Sequence, residues 1–369
     1  MSTPNPNKKI RGDGEAEERQ IEFDRLSSLP DHILHLVLSF LDCPKLSAQT
    51  SVLSRRWRSL WKRVPSLTLS TSCLTPSSFA RYVEEVLSRR PEGRDVEEIV
   101  YLHFDFSLDK NLFDRVVNFA ASHGCRHLNV CVPYDEVLEP ELFVPLANSD
   151  LRILRLRRST LKSGFGSCGL KMLTILDLDE CLLPCDTGAD LDPFVNFPCL
   201  ENLILCNCFL EDRECGFKIF GPRLVKLLIY ELDCSKLEIF APTLTFFDYI
   251  DHLNSPRLYN LRLPSLDHAD IFVHDKCLDE RNMEEMRACY ISLLQGLQNA
   301  SILEINHGLF KLLCKNCELL EHQSCPFTRL KSLKVAVSRI NCPYRLPYHV
   351  ISYFLGGSST GEQAYIEFG

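Results

Sequence analysis

One spacing recurs through the middle of this chain: an apolar residue, two intervening positions, a second apolar residue, one intervening position and a third. It occurs at Leu151, Leu154 and Leu156, at Leu173, Leu176 and Leu178, at Leu200, Leu203 and Leu205, and at Leu224, Leu227 and Ile229. The starting positions lie 22, 27 and 24 residues apart. Residues two apart on a strand point to the same side, so each rung is a short strand with one apolar edge. A lone rung cannot bury that edge; stacked neighbours can. A chain of this kind is committed to an elongated stack.

That period lies within the range of about 20–29 residues of a leucine-rich repeat. Cys181 and Cys208 stand three places beyond the last leucine of their rungs, where that repeat takes Cys or Asn. Weaker rungs flank the centre: Cys125/Leu128/Val130 before it, and Leu244/Phe247/Tyr249, Leu258/Leu261/Leu263, Ala300/Leu303/Ile305 and Leu330/Leu333/Val335 after it. Residues 96–104 supply a further strand. The expected fold class is α/β, a curved solenoid with a parallel sheet on its concave face. Helical spacing predicts convex-side helices over 77–90 (Phe79, Val83, Val86, Leu87), over 111–122 (Leu112, Phe113, Val116, Val117, Ala120) and over 286–297 (Met286, Cys289, Tyr290, Leu293, Leu294, Leu297).

Ahead of the stack lies a short helical stretch with more apolar surface than a small core buries. Ile33, Leu36, Val37, Phe40 and Leu41 form one stripe at helical spacing. Pro30 suits a first helical position and Asp31 a first turn. Pro44 opens a second helix with Leu46, Thr50 and Leu53. Ser54 is the expected cap of a third, with Trp57, Leu60 and Trp61. Arg55, Arg56, Arg58, Lys62 and Arg63 cover its other side, as a solvated helix face or a contact for an acidic partner. About forty residues is near the lower limit for folding alone. Leu26, Leu29, Pro30 and Ile33 stand at the leading edge, each worth about 1.5–3 kcal/mol if a partner buries it fully. The connection from Val64 to Leu69 is short, so the first strand is expected to pack directly against this module.

The ordered run Asp24-Arg-Leu-Ser-Ser-Leu-Pro-Asp, then Ile33-Leu, then Val52-Leu-Ser-Arg-Arg-Trp-Arg-Ser-Leu-Trp61 resembles the F-box of plant F-box/leucine-rich-repeat proteins over roughly residues 22–66. The resemblance implies docking to a Skp-type adaptor, and through it to the cullin of a ubiquitin ligase. By position, Leu26, Leu29, Pro30, Ile33, Leu36, Leu53 and Trp57 carry over as adaptor-contacting or interface-supporting residues. The repeats would hold an unknown target protein, and the chain itself would perform no bond chemistry. Two other readings stay open: a non-ligase F-box scaffold, and a small-ligand receptor acting through the solenoid. At the carboxyl end, Phe327-Thr-Arg-Leu-Lys-Ser-Leu-Lys-Val335 gives a last strand and 347–357 a capping helix, a layout similar to the FBD-type tail of many plant F-box proteins. The expected organisation is a disordered tail over 1–21, the F-box over 22–66, an irregular leucine-rich-repeat solenoid over 67–325 and an FBD-like cap over 326–369.

Charge and cysteine usage narrow the function classes. The formal charge is −8, which argues against general nucleic-acid binding. Residues 1–20 are polar with no apolar leader, so the 18 cysteines are expected to be reduced, buried hydrophobes in the nucleus, the cytoplasm or both. No apolar run is long enough to span a bilayer. Gly164-Phe-Gly-Ser-Cys-Gly169 matches the dinucleotide fingerprint in letters. The next rung follows at once, leaving no room for the phosphate-binding helix, so the glycines read as a flexible loop between repeats. Cys314, Cys317, His322 and Cys325 have metal-like spacing, but the interleaved leucines favour a core helix. His32 and His35 lack a third ligand, and no cofactor is expected. Asn299-Ala-Ser301 is a glycosylation sequon that a cytosolic chain would never present to the transferase.

Overall fold

In the computed structural model the described residues are 26, 28–41, 44–71, 75–90, 96–102, 108–184, 193–212, 215–251, 258–273, 283–315, 320, 324–336, 348–356 and 365–368. The amino-terminal module holds α1 (Asp31–Ser39), α2 (Pro44–Gln49) and α3 (Trp57–Leu60), with 3-10 turns after α2 and α3. Leu34, Leu38, Trp57, Leu60, Trp61 and Val64 form its own core, with Leu29, Leu41 and Ala48 packed against it. Helix α3 starts one residue after Arg56, which caps it without a side-chain bond. Ser54 is therefore not the cap.

From Val64 the chain passes through Pro65 alone into β1 (Ser66–Ser70). The elements that follow are α4 (Pro76–Ser88), β2 (Glu98–Leu102), α5 (Lys110–Ser122), β3 (His127–Leu138), β4 (Ile153–Leu161), β5 (Ile175–Asp179) and β6 (Leu182–Leu183). Then come β7 (Asn202–Cys206), β8 (Phe209–Leu210), β9 (Gly216–Phe220), β10 (Lys226–Tyr230), β11 (Lys236–Phe240), β12 (Phe246–Asp251), β13 (Leu258–Arg262) and β14 (His268–Val273). The chain closes with α6 (Met283–Gly296), β15 (Ile302–Asn306), α7 (His307–Lys315), β16 (Ser332–Ala336), α8 (Tyr348–Leu355) and β17 (Tyr365–Phe368).

The main sheet runs β1-β2-β3-β4-β5-β7-β10-β12-β14-β15-β16-β17, and its pairs are parallel. One inward column follows the register from Leu67 through Ile99, Leu128, Leu154, Leu176, Leu203, Leu227, Phe247, Ala269 and Leu303 to Leu333. Every member is buried. This is the α/β solenoid expected from the rungs. The thiols of Cys181 and Cys208 have a specific use: they donate to the carbonyl oxygens of Leu156 and Leu178, on the preceding rungs, at 3.3 and 3.4 Å. The corners directly after β5, β7 and β10 place Glu180, Asn207 and Glu231 at positive φ, and Arg158 adopts it within β4, where the register to β3 shifts.

Three differences from the sequence expectations have physical causes. The rung at Leu258, Leu261 and Leu263 is not in the concave sheet. Strand β13 belongs to a second sheet, ordered β13-β11-β9, whose Phe217, Ile219, Leu237 and Ile239 enter the same core from the other side. The concave rung there is β14, with Ala269 and Ile271 inward. Each second-sheet strand turns back through a proline: Gly221-Pro222-Arg223-Leu224, Ala241-Pro242-Thr243-Leu244 and Leu263-Pro264-Ser265-Leu266. In all three turns the leucine N–H donates to the oxygen three residues earlier, with proline at the position where its fixed φ suits a turn.

Second, the glycines at 164–169 do not form a flexible loop. They frame a packed 3-10 turn, Phe165–Cys168, in which Phe165, Gly166 and Cys168 are buried. Phe165 joins a run of ring contacts through Phe79, Tyr101, Phe113 and Phe143 to Phe197, with centroids 5.3–6.2 Å apart. Third, β16 is not the last strand, because β17 pairs parallel with it. The expected convex helices are present as α4, α5 and α6, and the carboxyl-terminal helix as α8. Among the described residues no group of His, Cys, Asp and Glu could hold a metal. Cys317 and His322 lie outside them, as do residues 1–25. No described helix is long and apolar enough to cross a membrane.

Candidate protein-docking surfaces

Helix α1 is apolar on two faces. Leu34 and Leu38 point into the module, while Leu36, Val37 and Phe40 face outward, Phe40 at 74% exposure. The stripe read from spacing is largely this outward face. Leu26, Leu46, Val52 and Leu53 add to it, Val52 at 89% exposure. So many large apolar side chains exposed on a short module are unlike the scattered single ones of an ordinary surface.

The edge of this face is held in place. Arg56 pairs with Asp31 through Nε at 2.7 Å, and its Nη2 donates to the Leu29 oxygen at 2.7 Å. The Leu29 N–H donates to the Leu26 oxygen. One arginine thus ties the start of α1 to the start of α3. The Arg56–Asp31 pair is exposed, so on its own it adds little, about 0–1 kcal/mol. Its consequence is the fixed geometry of Leu29 and Pro30.

The residues expected at the docking edge divide into three. Leu26, Pro30, Leu36 and Leu53 are exposed, and Leu29 and Ile33 are half-buried. Trp57 is only 4% exposed, so it supports the face from beneath and presents no surface. Val37, Phe40, Leu46 and Val52 were absent from the expected docking set. For Val37 and Phe40 the signal was the doubled apolar content at and just beyond α1, which exceeds what one buried face needs; Leu46 and Val52 lie on α2 and the 3-10 turn after it, outside that pattern.

The module is joined firmly to the repeats. Arg90, just past α4, is buried and donates to the Val64 oxygen. A shallow cleft lined by Leu38, Trp61, Val64, Thr68 and Arg90 lies at this joint.

The concave sheet is the second surface. Arg155, Arg157 and Arg158 face Asp177, Asp179 and Glu180 across β4 and β5, at 3.4, 2.6 and 2.8 Å. Further along, the Tyr230 hydroxyl donates to Asp248 at 2.6 Å, and His268 Nε2 lies 2.8 Å from Asp270. Burial pushes the Asp177 and Asp248 carboxyls up, Arg155 opposing it at the first and the Tyr230 hydrogen bond at the second. Burial pushes the Tyr230 hydroxyl up as well, reinforced by its bond to Asp248. These groups make the concave face polar and partly desolvated.

Residues 26–69 match the F-box domain family. Over 92% of its length the chain is 26% identical to an F-box/FBD/LRR-repeat protein of Arabidopsis thaliana, covering 74% of that protein. Over 88% of its length it is 26% identical to an F-box/LRR-repeat protein of the same plant, covering 68% of it. An FBD-associated F-box protein, also from Arabidopsis thaliana, is 30% identical over 55% of this chain and 42% of its own length.

Proposed function

From an F-box domain followed by stacked repeats, we propose that the chain is the substrate-recognition subunit of a Skp–cullin–F-box ubiquitin ligase. The F-box docks the Skp-type adaptor, and the repeats dock a target protein. The observation that carries this reading is the outward apolar face of Leu26, Leu36, Val37, Phe40, Val52 and Leu53 on a module that already has its own core. A helical cap for the repeats would have turned those residues inward.

The chain itself makes and breaks no bonds. It acts by tethering: a target held on the repeats has its lysines at high effective concentration near the ligase's conjugating enzyme. A firm joint at Val64 and Arg90 serves that mechanism, because a loose one would spread the target over a larger volume. The same reading puts the chain in the nucleus or the cytoplasm.

The test is capture. The full chain is expected to co-purify with a Skp-type adaptor and a cullin. Leu36→Asp with Leu53→Asp should abolish both while leaving the melting temperature of the repeats unchanged. Capture that survives the double substitution would sink the docking assignment. Adaptor without cullin would make the chain a non-ligase scaffold.

A further inference from the structure

The concave face distributes its charge unevenly. On β4 and β5 every arginine has an acid beside it. On β12, β14 and β15 the residues Asp248, Asp270 and Glu304 are in register, so three carboxyl groups stand side by side at a step of about 4.8 Å. Asp248 is bonded to Tyr230, and Asp270 lies against His268. Glu304, by contrast, makes no hydrogen bond or ion pair with the described residues, although Lys334 is next to it in register. Like charges directly opposite each other destabilise a sheet. Burial also works against the charge on Asp248.

A second feature lies beside the acids. Two positions further along the strands, Tyr230, Ile250 and Phe272 are in register, and Phe272 is 40% exposed. The concave face thus carries an acidic row with an apolar and aromatic row about 7 Å from it. Lysine and arginine have the matching construction, an apolar stem ending in a cation. Their heads also sit favourably over aromatic rings, as Lys226 Nζ does over Phe246 at 4.7 Å.

We propose that the concave face of β12, β14 and β15 receives a basic segment of the partner protein, carrying two or more Lys or Arg residues, with the stems on Ile250 and Phe272 and the heads on Asp248, Asp270 and Glu304. This rests on the reading that the repeats hold a protein, and narrows it by charge. The carboxylates exclude nucleic acid as the occupant.

The test uses the full chain and fluorescent synthetic peptides of equal length carrying no, two or four arginines, followed by anisotropy. Affinity should rise about tenfold or more from the neutral to the four-arginine peptide and fall by a similar factor at high salt. Asp248→Asn with Asp270→Asn and Glu304→Gln should remove the preference. Glu304→Gln alone, at a partly exposed side chain, should lower affinity about threefold and serves if the triple variant melts early. Equal binding of neutral and basic peptides, with hydrogen-exchange protection on β12, β14 and β15, would overturn the charge preference and leave the repeats as a partner-holding surface. No binding by any peptide would overturn both. Displacement of the basic peptide by millimolar calcium or magnesium alone would make the row a cation site and overturn the proposal. Adaptor capture through the F-box is measured separately and is indifferent to all three substitutions.

Discussion

Arg90 donates from Nη1 to the backbone oxygen of Val64 at 2.7 Å, and both residues are buried. Val64 is the last core residue of the helical module, and Arg90 follows the first helix of the repeats. The bond therefore spans the joint. A charged donor on a buried carbonyl is worth about 1.5–3 kcal/mol. Arg90→Met should lower stability by about that amount and broaden the interdomain distances seen by small-angle scattering, with the sheet intact by circular dichroism. Unchanged scattering would mean that burial of Leu67 and Leu69 sets the joint alone.

Trp57 and Phe40 separate the module's core from its outward apolar face. Trp57 is 4% and Phe40 74% exposed. Trp57→Ala should cost about 3–5 kcal/mol by opening the module's core. Phe40→Ser should change stability by no more than about 0.5 kcal/mol. In an adaptor pull-down both should fail, Trp57→Ala with a lowered melting temperature and Phe40→Ser, paired with Val52→Ser, without one. Full capture by the paired serine variant would show that the outward face of α1 lies outside the interface.

The inward column from Leu67 to Leu333 is legible in the sequence because every rung must bury the same positions. Leu258 is misplaced by the same rule. Strands of both sheets bury alternate residues, so apolar spacing says that a strand is buried but not in which sheet. Pro222, Pro242 and Pro264 carry the missing information, since each marks the turn between a second-sheet strand and a concave one. In α1 the spacing of Ile33, Leu36, Val37 and Phe40 is correct, yet Leu34 and Leu38 form the core. Two apolar faces on one helix compete, and only packing against Trp57 and Leu60 decides between them. Strand β17 is too short, at Tyr365–Phe368, for its period to stand out from its surroundings.

Stability should fall at alkaline pH through buried thiols. Burial, opposed in part by backbone contacts, pushes Cys125 and Cys168 up to about 11 from an ordinary value near 9. Both are almost fully buried. The unfolded chain releases these protons near pH 9 while the folded chain holds them. Their contribution is therefore complete below pH 9 and is lost as pH rises toward 11, at about 1.4 kcal/mol per unit for each thiol. Denaturant midpoints across this range should drop less steeply for Cys125→Ala with Cys168→Ala than for the unaltered chain. Parallel curves would show that those thiols are not desolvated.

Gly164 and Gly169 hold a positive φ that favours glycine, whereas Gly166 owes its place to packing, and a substitution there tests it. A Cβ on Gly166 would meet the Pro193 backbone oxygen at 2.5 Å, whereas one on Gly216 would find its nearest neighbour at 3.7 Å. Neither position has the positive φ of Gly164 and Gly169, so the comparison isolates space from backbone strain. Gly166→Ala should cost about 1–3 kcal/mol, as overpacking does, and disturb the seating of Phe165 between Phe143 and Phe197. Gly216→Ala should be neutral or slightly stabilising, since glycine weakens a strand. Thermal melts of the two variants give the answer directly. Equal melting temperatures would restore the reading of this segment as a loose connection between repeats.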